Sequence, residues 1–286
     1  MQREYIVDIS DTHANHKLAL CNPDVILHDE APNGTLIPVK PKLTTTQEYL
    51  WELLQSHKQT IIQKIGDDPL TLIHNGELCW GGKYPYSIMS TRMADQISIG
   101  LANLQVWYEI PNLKTVRIVA GNNAHDYGEA STEILICDRL KSLYPDVDTQ
   151  FLYHGLAHIG GLLVDYAHVG PPPGKRAWLT GNEARYYLRS IMEKSLMAGK
   201  QPPDLVLRAH YHEWVCETVH ISVADKDYFS TLIVTPSYMM ITDYARYSGK
   251  SPDTITNGLV LIEIVDGMRR IMRLTKTLDI RTKEEL

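Results

Sequence analysis

Phenylalanine is nearly absent, with 2 residues in 286 against 16 tyrosines. Most aromatic mass is therefore amphipathic, which favours a tyrosine-rich surface or cleft. Cysteine is scarce too. Cys21, Cys79, Cys137 and Cys216 stand apart without C-x-x-C spacing, which argues against a disulfide framework or a thiolate metal site and fits reduced, packed thiols. No apolar run approaches the roughly 18 residues of a membrane span, and no apolar leader precedes the first strand. The expected location is the cytoplasm, without membrane contact. The stretch "HNGELCWGG" (74–82) holds neither G-x-G-x-x-G nor a P-loop, so nucleotide binding through a glycine-rich loop is unsupported. Excess positive charge is missing as well. The formal net charge of −6 argues against a broad nucleic-acid-binding face, while leaving room for a local basic channel or bound dications.

What is present is an alternation of β-branched runs and helical periodicity. "EYIVDIS" (4–10) reads as a strand, and a polar, Pro- and Asn-rich loop follows over 12–44. Loops of that length are uncommon unless they serve a function. From Thr44 to Gly66, threonine caps precede Leu50, Leu53, Leu54, Ile61 and Ile65 at helical spacing. A strand (70–76), a helix (87–110), a strand (114–121) and a helix (128–144) come next. Residues 149–170 read as two strands around an Ile-Gly-Gly turn, 181–200 as a helix and 203–210 as a strand. Beyond His212 only strands are expected, at 214–223, 230–236, 257–265 and 269–277. No repeat or low-complexity linker interrupts the pattern, so a single domain over 1–286 is expected. Alternating β and α followed by a β-rich tail implies an α/β protein with layered sheets and helices outside.

Polar residues recur where the strands end. The first strand runs into Asp11 and His13, the second into Glu77, and the third into Asn122, Asn123 and His125. The hairpin ends at His168, and the later strand at His210 and His212. An extended backbone would aim His210 and His212 at the same side. Each residue alone has an ordinary explanation, as a loop cap, a solvated charge or a satisfied histidine. Together, five strands deliver oxygen and imidazole donors to their carboxyl ends, the edge where α/β sheets form ligand sites. Two dications bridged by one carboxylate use such a donor set, and its lack of thiolate suits Mn, Fe or Zn.

These segments resemble the calcineurin-like metallophosphoesterase superfamily, whose pattern runs D-x-H, G-D, G-N-H, a lone His and G-H-x-H. Here they are "DTH", "GE", "GNNAH", "AH" (167–168) and "AHYH", in order over residues 5–213. Looser relatives occur among phage and environmental proteins. The resemblance implies a four-layer αββα sandwich and two divalent metal ions, Mn first, with Zn, Fe, Mg or Ni as alternatives. It implies that Asp11, His13 and His212 hold the first metal and that Glu77 bridges. Asn122 or Asn123, His168 and His210 then hold the second, and His125 is the catalytic acid or a phosphoryl contact. Three residues depart from the pattern. Glu77 stands for Asp, Asn123 takes the usual histidine position, and Ala209 replaces glycine.

The implied activity is phosphodiester hydrolysis on nucleotide or single-stranded nucleic-acid substrates, with a metal-bound hydroxide as nucleophile. A phosphomonoesterase or phosphoprotein phosphatase is the alternative, and a non-catalytic module with a degraded site is a reading of another class. Lys175 and Arg176, after "GPPPG", are candidate phosphate contacts, and His74 and Asn75 candidate orienting partners. His154 and His158 are assigned no site role. The rings of "WGGKYPY" (80–86) and "RAWLTGNEARYY" (176–187) can stack on bases.

Overall fold

In the first strand, Ile6 and Asp8 point to one side while Val7 and Ile9 point to the other, and both sides are buried. A strand buried on both faces needs a layer on each. The computed structural model describes residues 3–125, 128, 131–174, 179–242, 246 and 252–284. In it, β1 (Arg3–Ile9) lies inside a six-stranded sheet of order β13-β12-β1-β4-β5-β6. The members are β4 (Leu70–His74), β5 (Leu113–Val119), β6 (Asp148–Leu152), β12 (Thr254–Val265) and β13 (Met268–Asp279). Strands β1, β4, β5 and β6 are parallel, and β12 is antiparallel to both β1 and β13. A second, five-stranded sheet has the order β10-β11-β9-β8-β7. It contains β7 (His154–Ile159), β8 (Leu162–Val169), β9 (Leu205–Ala209), β10 (Val215–Val223) and β11 (Lys226–Val234).

Three apolar clusters define the layers. Ile6, Ile73, Val119 and Ile262 of the first sheet meet Val164, Tyr166, Leu207 and Ile233 of the second. On the outer face of the first sheet, Val7, Ile9 and Leu72 pack against helices α1 (Thr45–Ile65), α2 (Met93–Gln105) and α3 (Ser131–Leu143). On the outer face of the second, Val206, Leu232 and Val234 pack against Ala184, Leu188 and Met192 of α4 (Asn182–Met197). The result is the four-layer αββα sandwich that the sequence implied. Helix α1 begins with a reciprocal capping box between Thr44 and Gln47, which satisfies two otherwise orphaned N–H groups.

Three expectations need correction. The 12–44 loop contains a hairpin, β2 (Leu27–Glu30) with β3 (Leu36–Val39), whose five-residue loop is built around a turn in which Gly34 N–H donates to Ala31 O and Gly34 supplies the positive φ. The helix expected over 87–110 covers only Met93–Gln105. Pro85 opens a separate 3-10 turn before it, and Pro111 disfavours helical backbone at Ile110. Finally, 149–170 forms three strands, because the chain leaves the first sheet after Leu152 and enters the second at His154.

Candidate metal centre

The loops after β1 and β4 lie side by side. Asp11 N–H donates to Gly76 O, His13 N–H to Glu77 O and Ala14 N–H to Leu78 O, at 3.0, 3.0 and 2.8 Å. This zipper sets Asp11, His13 and Glu77 next to one another beyond the sheet edge. From the second sheet, His210 N–H donates to Asp11 Oδ2 at 3.3 Å, tying the loop after β9 to the same place.

Backbone strain is concentrated here. Among the described residues, nine non-glycine positions have positive φ, and five of them are Asp11, His13, Glu77, His210 and His212. Left-handed backbone costs roughly 1–2 kcal/mol per non-glycine residue, and it persists where surrounding structure enforces it. It also corrects the reading of His210 and His212 as strand neighbours. Strand β9 stops at Ala209, and with both histidines left-handed the two imidazoles join different groups. His168 is turned inward by another device. The β8–β9 register shifts between Tyr166 and Val169, a bulge of the kind that re-aims one side chain.

Two donor groups result, Asp11, His13, Glu77 and His212 in one and Glu77, His168 and His210 in the other, with the ligand atoms of each within 4.8 Å of one another. Glu77 belongs to both. Its Oε2 is 3.1 Å from His13 Nε2, while its Oε1 is 3.1 Å from His168 Nε2 and 3.4 Å from His210 Nδ1. His212 Nε2 lies 3.2 Å from Asp11 Oδ1 and 3.2 Å from His13 Nε2. His168 Nδ1–H donates to the Asn75 carbonyl at 2.8 Å, which fixes the tautomer and leaves Nε2 for the centre. The floor is buried. The open side is formed by His210 and His212, whose side chains are 32% and 29% exposed.

The other candidates divide. Asn122 touches the second group, its amide NH2 donating to Glu77 Oε1 and facing His210 Nδ1 at 3.3 Å. Its Oδ1 accepts from Ala124 N–H at 2.7 Å, so coordination through oxygen requires the amide to turn over. Asn123 opens the following 3-10 turn and is itself exposed. His125 stands beside the first group, its ring 4.8 Å from that of His13, and Nδ1–H donates to the Trp80 carbonyl at 3.1 Å. His74 Nε2 bonds Thr12 Oγ1 at 2.9 Å, and Asn75 acts through its main chain. His154 pairs with Asp165 at 3.0 Å on an edge strand. Lys175 and Arg176 lie outside the described residues. Sequence reasoning passed over His16 and the position of Trp80. The repeat of His13 at His16 and the aromatic beside Glu77 were the available signals.

The charge pattern fits a cation. Burial alone would raise Asp11, but His212 and then His168 outweigh it and hold the carboxyl below its usual range. Burial likewise opposes Glu77, and hydrogen bonds from His13, His168 and His210 hold it well below normal. His168 rises to about 9, because the Glu77 hydrogen bond and the Asp11 charge overcome burial. Two buried carboxylates thus draw protons onto His168 and His212, in positions that dications fill elsewhere. Asp11 Oδ1 is buried and faces His212 Nε2 at 3.2 Å without a well-aligned hydrogen bond, and the oxygen and imidazole donors suit a borderline or hard divalent metal. The residues therefore fit metal ions.

Two glycines permit this packing. A Cβ on Gly76 would meet His168 Nδ1 at 2.4 Å, and one on Gly121 would meet Glu77 N at 2.7 Å and Cγ at 2.9 Å. Gly121→Ala is expected to displace Glu77 and to weaken metal retention at least tenfold, with helical circular dichroism unchanged. Wild-type metal affinity in this variant would show that Glu77 does not need its present place.

No protein-family model matches the chain, and no curated protein does. Among solved structures it is similar to Vps29 from Entamoeba histolytica complexed with Zn2+, at 12% identity and a TM-score of 0.37, covering 97% of this chain and 99% of that one. It is also similar to a metallophosphoesterase from Sphaerobacter thermophilus, at 11% identity and a TM-score of 0.33, covering 98% of this chain and 89% of that one. Scores this low carry no weight for the fold or the site, which rest on the strands and side chains described above.

Proposed function

We propose that the protein is a metal-dependent phosphoesterase that hydrolyses phosphodiester bonds at a two-metal site. The observation that carries this reading is Glu77, whose two oxygens face two separate imidazole groups, as a bridging carboxylate does. Asp11, His13 and His212 would hold one metal, and His168, His210 and Asn122 the other. When bound, the metals, Mn first among the candidates, supply Lewis-acid neutralisation of phosphoryl charge and lower the pKa of water. The chain's own part is to hold the donors rigidly. Asn75 O fixes the ring of His168, Asp11 Oδ2 accepts the His210 main-chain N–H, and the buried floor keeps water to the open side.

The diester preference is supported by charge. Among the described residues, no guanidinium or ammonium pairs with Asp11 or Glu77. Arg208, two residues before His210, is buried and engaged with Asp165 at 2.6 Å and with the Tyr187 hydroxyl at 3.1 Å. A dianionic monoester gains more from free arginines than a monoanionic diester. The cytoplasm fits the free thiols of Cys21, Cys79, Cys137 and Cys216, and we read residues 1–286 as one domain.

With Mn present, bis(p-nitrophenyl) phosphate is expected to be cleaved at least tenfold faster than p-nitrophenyl phosphate, as followed by nitrophenolate release. The reverse preference would establish the monoesterase reading. No cleavage of either ester, with no metal retained, would establish a non-catalytic module.

A further inference from the structure

The loop after Glu77 builds an aromatic wall beside the first donor group. Trp80 is buried, with its ring 4.3 Å from His16, 4.4 Å from His125 and 5.2 Å from His13. Two of its polar atoms fix two neighbours. Nε1–H donates to the Tyr84 carbonyl at 3.2 Å, and its own carbonyl accepts from His125 Nδ1–H. Tyr84 is the outer member, 43% exposed, with its ring 5.9 Å from Trp80 and 6.2 Å from His125. Lys83 Nζ sits 5.5 Å from the centre of the Tyr84 ring, placing a cation at the rim. In the other aromatic stretch Trp178 lies outside the described residues, and the two tyrosines do not share this place. Tyr187 is committed to Arg208, and Tyr186 is exposed on α4.

An exposed ring held by a buried one, next to a phosphoryl-binding site, is a platform fixed before any ligand arrives. Its faces favour a planar π-system over an alkyl chain, and the Lys83 ammonium favours an anion. We propose that Tyr84 is the base-stacking residue of a nucleoside phosphodiester substrate, with Trp80 positioning it. This rests on the phosphodiesterase reading above. The phosphoryl group then lies over the donor groups, past His125, while the base lies outward on Tyr84.

The test compares thymidine 5′-(p-nitrophenyl) phosphate with methyl p-nitrophenyl phosphate, two diesters that share a leaving group and differ in the base. Tyr84→Ala is expected to raise KM for the thymidine ester roughly 5- to 150-fold, the range of one base–aromatic stack. Its kcat, and both constants for the methyl ester, should stay within about twofold, the margin of an unrelated surface change. Tyr84→Phe keeps the ring and should restore KM. Equal losses on both esters, or none, would overturn the assignment. Should the wild-type protein cleave neither ester, the phosphodiesterase reading fails by itself. The platform is then judged by calorimetric binding of the dinucleotide TpT. Loss of affinity in Tyr84→Ala, rescued by Tyr84→Phe, would uphold it, and unchanged affinity would overturn it.

Discussion

Replacing Glu77 by glutamine is expected to remove both metals together and to lower phosphodiester turnover by about a thousandfold or more, since the shared charge of a two-metal site is lost. The expectation follows from Glu77 being the one residue common to both donor groups. Glutamine keeps the shape and leaves an amide NH2 where one metal-facing oxygen stood. The adjoining single-group variants set the contrast. His212→Ala should weaken the first ion selectively and His168→Ala the second, as read by metal stoichiometry after removal of excess Mn. Wild-type retention is expected near two ions per chain. Glu77→Asp shortens the side chain by one methylene, and its left-handed backbone has little freedom to follow. Partial activity with weakened retention is the expected result there. A glutamine variant with two ions and normal turnover would place the bridge elsewhere.

The candidate donors were legible because each stands at or shortly past the end of a strand, His168 still within β8. A strand end is marked locally, by composition, and parallel strands bring their carboxyl ends to one edge whatever their order. Which donor joins which group was not legible from geometry alone. It depends on left-handed backbone at Asp11, His13, Glu77, His210 and His212 and on the bulge at His168. These are features that long-range packing imposes against local preference. The choice between Asn122 and Asn123 has the same origin, since a 3-10 turn from Asn123 to His125 carries Asn123 outward. The shorter extent of the helix within 87–110 has a local signal, a proline near each end. The hairpin inside 12–44 has one too, in Gly34. The switch between sheets at Tyr153 had none, because both flanking strands show ordinary strand composition and only the facing core decides which sheet each joins.

His125 is where the chemistry divides. Its Nδ1–H is committed to the Trp80 carbonyl at 3.1 Å, so the ring meets a substrate through Nε2. Burial, followed by repulsion from His13, pushes the free ring down to about 4, so it starts neutral. An anionic ester beside it raises the ring's proton affinity and bound dications lower it; in the protonated form Nε2–H can donate to a departing oxygen. A general acid matters most when the leaving group is poor, because a nitrophenolate departs without a proton. His125→Ala is therefore expected to lose roughly 10²- to 10⁴-fold on a dialkyl phosphodiester. On bis(p-nitrophenyl) phosphate its loss should stay below about tenfold, at matched metal and pH, the size of a lost positioning contact. Large and equal losses on both esters would make the histidine a phosphoryl-binding group. Unchanged rates on both would leave it as packing for Trp80, and the proton for the leaving oxygen would then have to come from solvent on the open side formed by His210 and His212.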